Sequence, residues 1–213
     1  MNTTLRPARL LAGIAAAGLI LTGCASGADT SAGSSAPGSS SESTAQGEQN
    51  DADVTFVQGM IPHHRQAVEM AGLAAGRSEN PELLDLAARI GSGQQPEIDT
   101  MTGWLQEWGA EVPAEGSDMA GMGGMEGMDH GGGMGGMGGM MSPEQMRGLE
   151  QATGAAFDRM FLEMMTEHHT GAVEMAQVEL QDGADPDALA LAQTIIDTQQ
   201  AEISEMETLL QQV

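Results

Sequence analysis

From residue 51 onward, apolar side chains recur at three- and four-residue steps. Phe56, Met60, His63, Ala67, Met70 and Ala74 fall on one side of a helix at about 100° per residue. Met60 lies near the centre of that stripe, with His63 and His64 on either side, and Glu69 lies on the opposite face one turn from Arg65, where a solvent-exposed ion pair is expected. Pro62 removes one backbone hydrogen bond and crowds the Gln58 carbonyl, so a kink is predicted just before the histidines. The pattern fades around Gly76. Asn80, Pro81 and Glu82 then supply an N-cap, a first-position proline and a first-turn acid for a second helix. It carries Leu83, Leu84, Leu86, Ala87, Ile90, Ile98, Met101 and Leu105 to about Trp108 and Gly109, and Gly91, Gly93 and Pro96 predict a bend in its middle. Ser142, Pro143 and Gln145 restart the pattern with a cap, and the next helix is predicted to run through Phe157, Phe161, Met165 and His168 to about Leu180. Asp185, Pro186 and Asp187 open a last helix with Leu189, Leu191, Ile195, Ile196, Ile203, Met206 and Leu210.

These four helices are two copies of one pattern. His168 follows His63 by 105 residues, and at that offset Asp53 meets Asp158, Phe56 meets Phe161, Pro81 meets Pro186, Glu97 meets Glu202 and Met101 meets Met206 without a gap. Agreement over so many positions is an internal duplication. The predicted fold is therefore all-α: two helical hairpins, residues 51–109 and 143–213, packed as a four-helix bundle about a pseudo-twofold axis.

The rest of the chain lacks this periodicity. Residues 1–23 read as a signal peptide, with Arg6 and Arg9 before a short apolar run that ends at Leu21, Thr22, Gly23 and Cys24. That ending resembles the lipobox of bacterial lipoproteins, which implies acylation of Cys24 and a membrane contact made through the lipid anchor only. Cys24 is the one cysteine, which excludes an intramolecular disulfide. Residues 24–50, rich in Ser, Gly, Ala and Thr, read as a flexible tether. Residues 110–142 are expected to be a Met/Gly-rich flexible loop between the halves.

Composition narrows the function. A net charge of −24, with seven basic residues against thirty-one acids, argues against nucleic acid or an anionic lipid surface as partner and is compatible with cations. Aromatics make up only 2% of the chain, which suits packed helices better than a sheet sandwich.

The candidate chemistry lies in the duplicated pairs. Four of the five histidines occur as His63–His64 and His168–His169, each pair flanked by methionines: Met60 and Met70 in the first copy, Met165 and Met175 in the second. Neighbouring histidines on a helix point about 100° apart, so the expected unit is one methionine with one neighbouring histidine. Side-by-side packing of the two helices would bring two such units together. Thioether with imidazole is a donor set for copper, with methionine selecting Cu(I) and histidine serving either oxidation state, so copper is the expected ligand and Cu(I) its first form. In the loop, Met119, Met122, Met125, Met128, Met134, Met137, Met140 and Met141, with His130, form a secondary set of soft donors, or else a repeat-expanded spacer.

The motif Met-x-x-His-His-x-x-Ala-Val-Glu-Met-Ala, at 60–71 and 165–176, is followed in both copies by Gln-Gln-x-Glu-Ile-x-x-Met. It resembles the bacterial family known as domain of unknown function 305 over residues 51–109 and 155–212. The resemblance implies a ferritin-like helical bundle, an extracytoplasmic location on the outer face of the cell membrane, and copper binding or tolerance. It also implies that the eight Met and His residues at 60, 63, 64, 70, 165, 168, 169 and 175 form the signature. The sequence departs from an even repeat where Glu167 replaces Pro62. Two other readings stand beside this one. A non-metal structural or interaction lipoprotein would use the histidines for packing. A di-iron ferritin-like oxidase would need Glu-x-x-His, but the residues three before the histidines are Met60, Ile61, Met165 and Thr166. No nucleophilic triad is legible, so a binding protein is expected and not an enzyme. A protein partner and the oligomeric state, homo-oligomer included, are left open.

Overall fold

Helix α1, Asp51–Ala74, begins at a capping box: the Asn50 side chain accepts from the Ala52 and Asp53 amides, and the Asp53 carboxylate accepts from the Asn50 amide at 2.6 Å. These details come from a computed structural model that describes residues 49–114 and 138–213. The expected signal peptide, Cys24, most of the expected tether, and Met119, Met122, Met125, Met128, His130, Met134 and Met137 lie outside the described residues.

α1 continues through Pro62 as one helix. α2, Pro81–Trp108, has Asn80 as its cap and Pro81 in its first turn, and closes on Gly109 at φ 69°, where a side chain would be strained. It too is a single helix despite Gly91, Gly93 and Pro96. The stretch from Pro143 is two helices where the periodicity predicts one. α3, Pro143–Gln151, stops at an extended Ala152, and α4, Ala155–Asp182, starts after Gly154, whose φ of 58° and ψ of −144° favour glycine. The Gly154 amide donates to the Arg77 carbonyl at 2.7 Å, and Arg77 donates to the Glu150 carbonyl, so the break seats α3 on the turn between α1 and α2. α5, Pro186–Leu210, is capped by Asp185.

α1 packs on α2 and α4 packs on α5; the two hairpins meet mainly through α1 and α4. Among the described residues the secondary structure is entirely helical, and no helix is long and apolar enough to cross a membrane.

The core is divided. One apolar cluster takes Ala67 and Met70 from α1, Leu83 to Ile90 from α2, Phe161 and Met165 from α4, and Met206 and Leu209 from α5. The other takes Phe56, Met60 and Ile61 from α1, Ile98 to Leu105 from α2, Ala172 and Ala176 from α4, and Ala192 to Ile196 from α5. Following the chain, α1 passes from the second cluster to the first while α4 passes from the first to the second, so the two central helices are antiparallel. The residues left between the clusters are polar: His63 and His64, Gln94 and Glu97, His168 and His169, Gln199 and Glu202. Each of the four long helices gives two residues to this layer. Placing so many polar groups inside a bundle is unfavourable unless they are partnered, and their partners decide what the layer does.

Candidate metal centre

All four histidines of the duplicated pairs are fully buried. The two members of each pair face different ways, as a 100° step demands. His63 and His168 meet at the α1–α4 interface, with ring centroids 3.7 Å apart and planes tilted by 41°. His64 turns towards α2, where its Nε2 donates to Glu97 Oε2 at 2.7 Å. His169 turns towards α5 and donates to Glu202 Oε2 at 2.8 Å. The two His–Glu bonds join residues 33 apart in both halves.

The central pair is short of partners. His63 Nε2 donates to the Gly138 carbonyl at 3.3 Å, its Nδ1 has no partner, and neither nitrogen of His168 is in hydrogen-bond geometry, although the His63 backbone carbonyl acts on that ring. Burial first, and then the charge of neighbouring His64, pushes His63 down to about 3 against the opposing effect of the Gly138 carbonyl. Burial, with His63 and His169 adding to it, holds His168 well below the ordinary value. Both rings are therefore neutral near pH 7, with nitrogen lone pairs not taken by protons. Buried imidazole lone pairs without a donor are uncommon in folded proteins and need a ligand or a water to account for them.

A short strap covers this pair. Residues 138–141 lie across α4, with the Gly138 carbonyl over His63. Two bonds between Gln66 and the Met141 backbone, at 2.7 and 2.9 Å, hold its far end. The strap sits so close to α4 that a side chain on Gly171 would begin 1.6 Å from the Gly138 carbonyl oxygen. Gly139, at φ 86°, leaves no room for a side chain either, because the Glu167 and His168 carbonyls stand at 2.6 and 2.9 Å from where it would start.

The methionines are distributed differently from the histidines. Met60 and the partly buried Met175 belong to one apolar cluster, and Met70, Met165 and Met141 to the other. The convergence of Met60 and Met165 anticipated from side-by-side packing is thus replaced by an antiparallel arrangement, in which they flank the histidine layer from opposite sides. Met140, in the strap, is partly buried. Met101 and Met206 are core. Glu69 and Glu174 are exposed, but Arg65 does not pair with Glu69; its guanidinium donates to the Pro113 and Ala114 carbonyls.

Glu97 and Glu202, with Gln94 and Gln199, are the layer residues that the sequence reading passed over as site residues. Their signal was present, since Gln-Gln-x-Glu-Ile is repeated in register with the histidines. Among the described residues, no three His, Cys, Asp or Glu side chains form a group able to hold a metal ion. The layer offers imidazole nitrogens, with thioether sulfur in the apolar clusters on either side, a set of donor types that suits a soft ion better than a hard one.

Residues 53–210 match the family described as Domain of unknown function (DUF305). The chain is similar to a DUF305 protein of Streptomyces coelicolor, with 31% identity, a TM-score of 0.64, and coverage of 76% of this chain and 93% of that one. It is also similar to CopM in its Cu(II)-bound form, with 35% identity, a TM-score of 0.59 and coverage of 75% and 96%, and to CopM in its Cu(I)-bound form, with 32% identity and a TM-score of 0.58. Over 55 residues it is 38% identical to "Uncharacterized protein L153" of Acanthamoeba polyphaga mimivirus, and it spans 36% of the length of that curated relative. Matched from Asp53 to Leu210 across every helix of the bundle, this chain belongs to the DUF305 family.

Proposed function

We propose that this protein binds copper outside the cytoplasmic membrane, sequestering it or handing it on, with His63 and His168 as the central donors. The observation that carries this reading is the buried, neutral His63–His168 contact whose ring nitrogens lack protein donors. The rings touch at 3.7 Å, so an ion shared between them requires that they turn their nitrogens inwards. Met60 with Met175, and Met70 with Met165, supply soft sulfur on either side of the layer. Support also comes from CopM, which is crystallised with Cu(I), Cu(II) and Ag. That range fits donors able to serve both oxidation states.

The remaining parts of the proposal rest on the sequence. Cys24 anchors the chain by lipid on the outer face of the membrane, and a Streptomyces coelicolor relative described as secreted agrees with an extracytoplasmic site. The methionines of residues 119–141 with His130 add a second, weaker set of Cu(I) donors. The protein acts by binding and not by catalysis.

The test is selective retention. Purified protein is offered equal concentrations of Cu(I), Fe(II) and Zn(II) without oxygen, desalted, and its metals are measured. Copper retained above the others is the expected result. Iron retained in its place would favour a di-iron site, and no metal retained would favour histidines that only fill the core.

A further inference from the structure

The lateral histidines carry information that the central pair does not. His64 and His169 each use Nε2 on a glutamate from the other helix of the same hairpin, at 2.7 and 2.8 Å. A carboxylate only accepts, so the hydrogen between ring and glutamate sits on Nε2, and Nδ1 is the ring nitrogen left over. In both copies that Nδ1 is buried and has no partner. A histidine kept only for structure would be expected to satisfy both ring nitrogens, or to expose the spare one to water. Here the same nitrogen is left over in both halves of the molecule. The companion His63 follows the same rule, with Nε2 on the Gly138 carbonyl and Nδ1 unpartnered.

We propose that Glu97 and Glu202 are positioning residues that fix the ring orientation and tautomer of His64 and His169, so that each histidine offers Nδ1 as its metal-binding nitrogen to a soft monovalent cation. This rests on the copper reading and deepens it, since it names the donor atom and the residues that prepare it. The glutamates touch the ring edge away from the donor. They orient the imidazole through the Nε2–H bond, as carboxylates do for metal-bound histidines. Their own shells stay hydrogen-bonded to histidine when metal is bound. A cation that needed Nε2 would have to break these bonds first. The repeated Gln-Gln-x-Glu-Ile segment then has a role that its position on α2 and α5, away from the His-His motif, conceals.

Nitrogen-15 spectroscopy of the full-length protein with labelled histidine reads the tautomer directly, and Ag(I) serves as a diamagnetic probe. Without metal, His64 and His169, identified by single substitution, are expected as the Nε2–H form. On addition of Ag(I), their Nδ1 signals should shift while Nε2 stays protonated. Glu97→Gln keeps an oxygen acceptor and should keep the tautomer; Glu97→Leu should lose it and weaken Ag(I) binding by about 10- to 100-fold. A merely structural glutamate would change unfolding in both variants and leave the tautomer alone. Nδ1–H rings in the metal-free protein, or Ag(I) bound through Nε2, would overturn the inference while leaving metal binding in place. If no histidine signal moves and no copper is retained, both the inference and the copper reading fail. Should Glu97→Leu not fold, the wild-type and Glu97→Gln spectra still decide the question.

Discussion

Gly171→Ala separates the strap from the helix that carries it. Glycine inside a helix is about 1 kcal/mol less favourable than alanine, so on propensity alone the substitution should stabilise α4. The structure opposes this. The new Cβ would lie 1.6 Å from the Gly138 carbonyl oxygen and 2.3 Å from its carbon, both backbone atoms, so the strap has to move. Movement removes the Gly138–His63 bond and strains the two bonds between Gln66 and Met141. At about 0.5–1.5 kcal/mol net for each bond, full loss of the three is worth roughly 1.5–4.5 kcal/mol. Gly72→Ala is the matched control, because Gly72 lies in α1, is exposed, and a side chain there would meet nothing within 4 Å. The propensity gain cancels between the two variants, and the difference in their unfolding free energies isolates the strap. Urea unfolding followed by far-UV circular dichroism should place Gly171→Ala below Gly72→Ala by that amount. Hydrogen exchange at the Met141 amide, which Gln66 accepts at 2.7 Å, should quicken in Gly171→Ala alone. Two variants equally stabilised, with Met141 exchange unchanged, would show that the strap does not hold the histidine pair closed.

A buried acid pair at the α1–α4 end gives a pH test. Burial, then Asp53 beside it, pushes Glu179 up from 4.5 to about 8; protonated, it can donate to Asp53, whereas its ionised oxygens would have no partner. Burial alone would raise Asp53, but bonds from the Asn50 amide, Glu179 and the Asp185 and Ala184 amides outweigh it and hold Asp53 below its ordinary value. The folded state therefore keeps a proton on Glu179 that the unfolded chain releases, and its contribution is full below 4.5 and lost as pH rises through about 8. Stability should fall across that window by up to about 1.4 kcal/mol per pH unit, and Glu179→Gln should flatten the slope. Replacing the methionines at 119, 122, 125, 128, 134 and 137 with leucine should lower the Cu(I) stoichiometry and leave helicity unchanged; an unchanged stoichiometry would make the segment a spacer. Cys24→Ser should move the protein from the membrane fraction to the soluble fraction, and persistence in the membrane fraction would contradict lipid anchoring.

The helices were legible because their signals are local. Asn80–Pro81 and Asp185–Pro186 are caps that act within one turn, and the structure starts α2 and α5 where they stand. The division of each His-His pair follows from the helical step, and His63 and His64 do turn to different neighbours. What escaped was decided by approach between elements. Periodicity does not report that Gly154 breaks the chain to dock on Arg77, because the reason is the carbonyl of a residue 77 positions earlier (154 − 77). Nor does it report that α1 and α4 run antiparallel, which sends Met60 and Met165 to opposite sides of the layer. Glu97 and Glu202 were visible as repeated residues but silent as partners, since 33 residues of chain separate each from its histidine.

The central claim is that His63 and His168 form the heart of a copper site, and a Cu(I) competition titration of the double variant His63→Ala/His168→Ala against the unaltered protein tests it most directly. With a chromophoric Cu(I) chelator and no oxygen, the unaltered protein should take copper from the chelator. The variant, its fold checked by circular dichroism, should lose the high-affinity fraction and keep only weak binding. Equal affinity in the two proteins would contradict the account and return the histidine pair to the core.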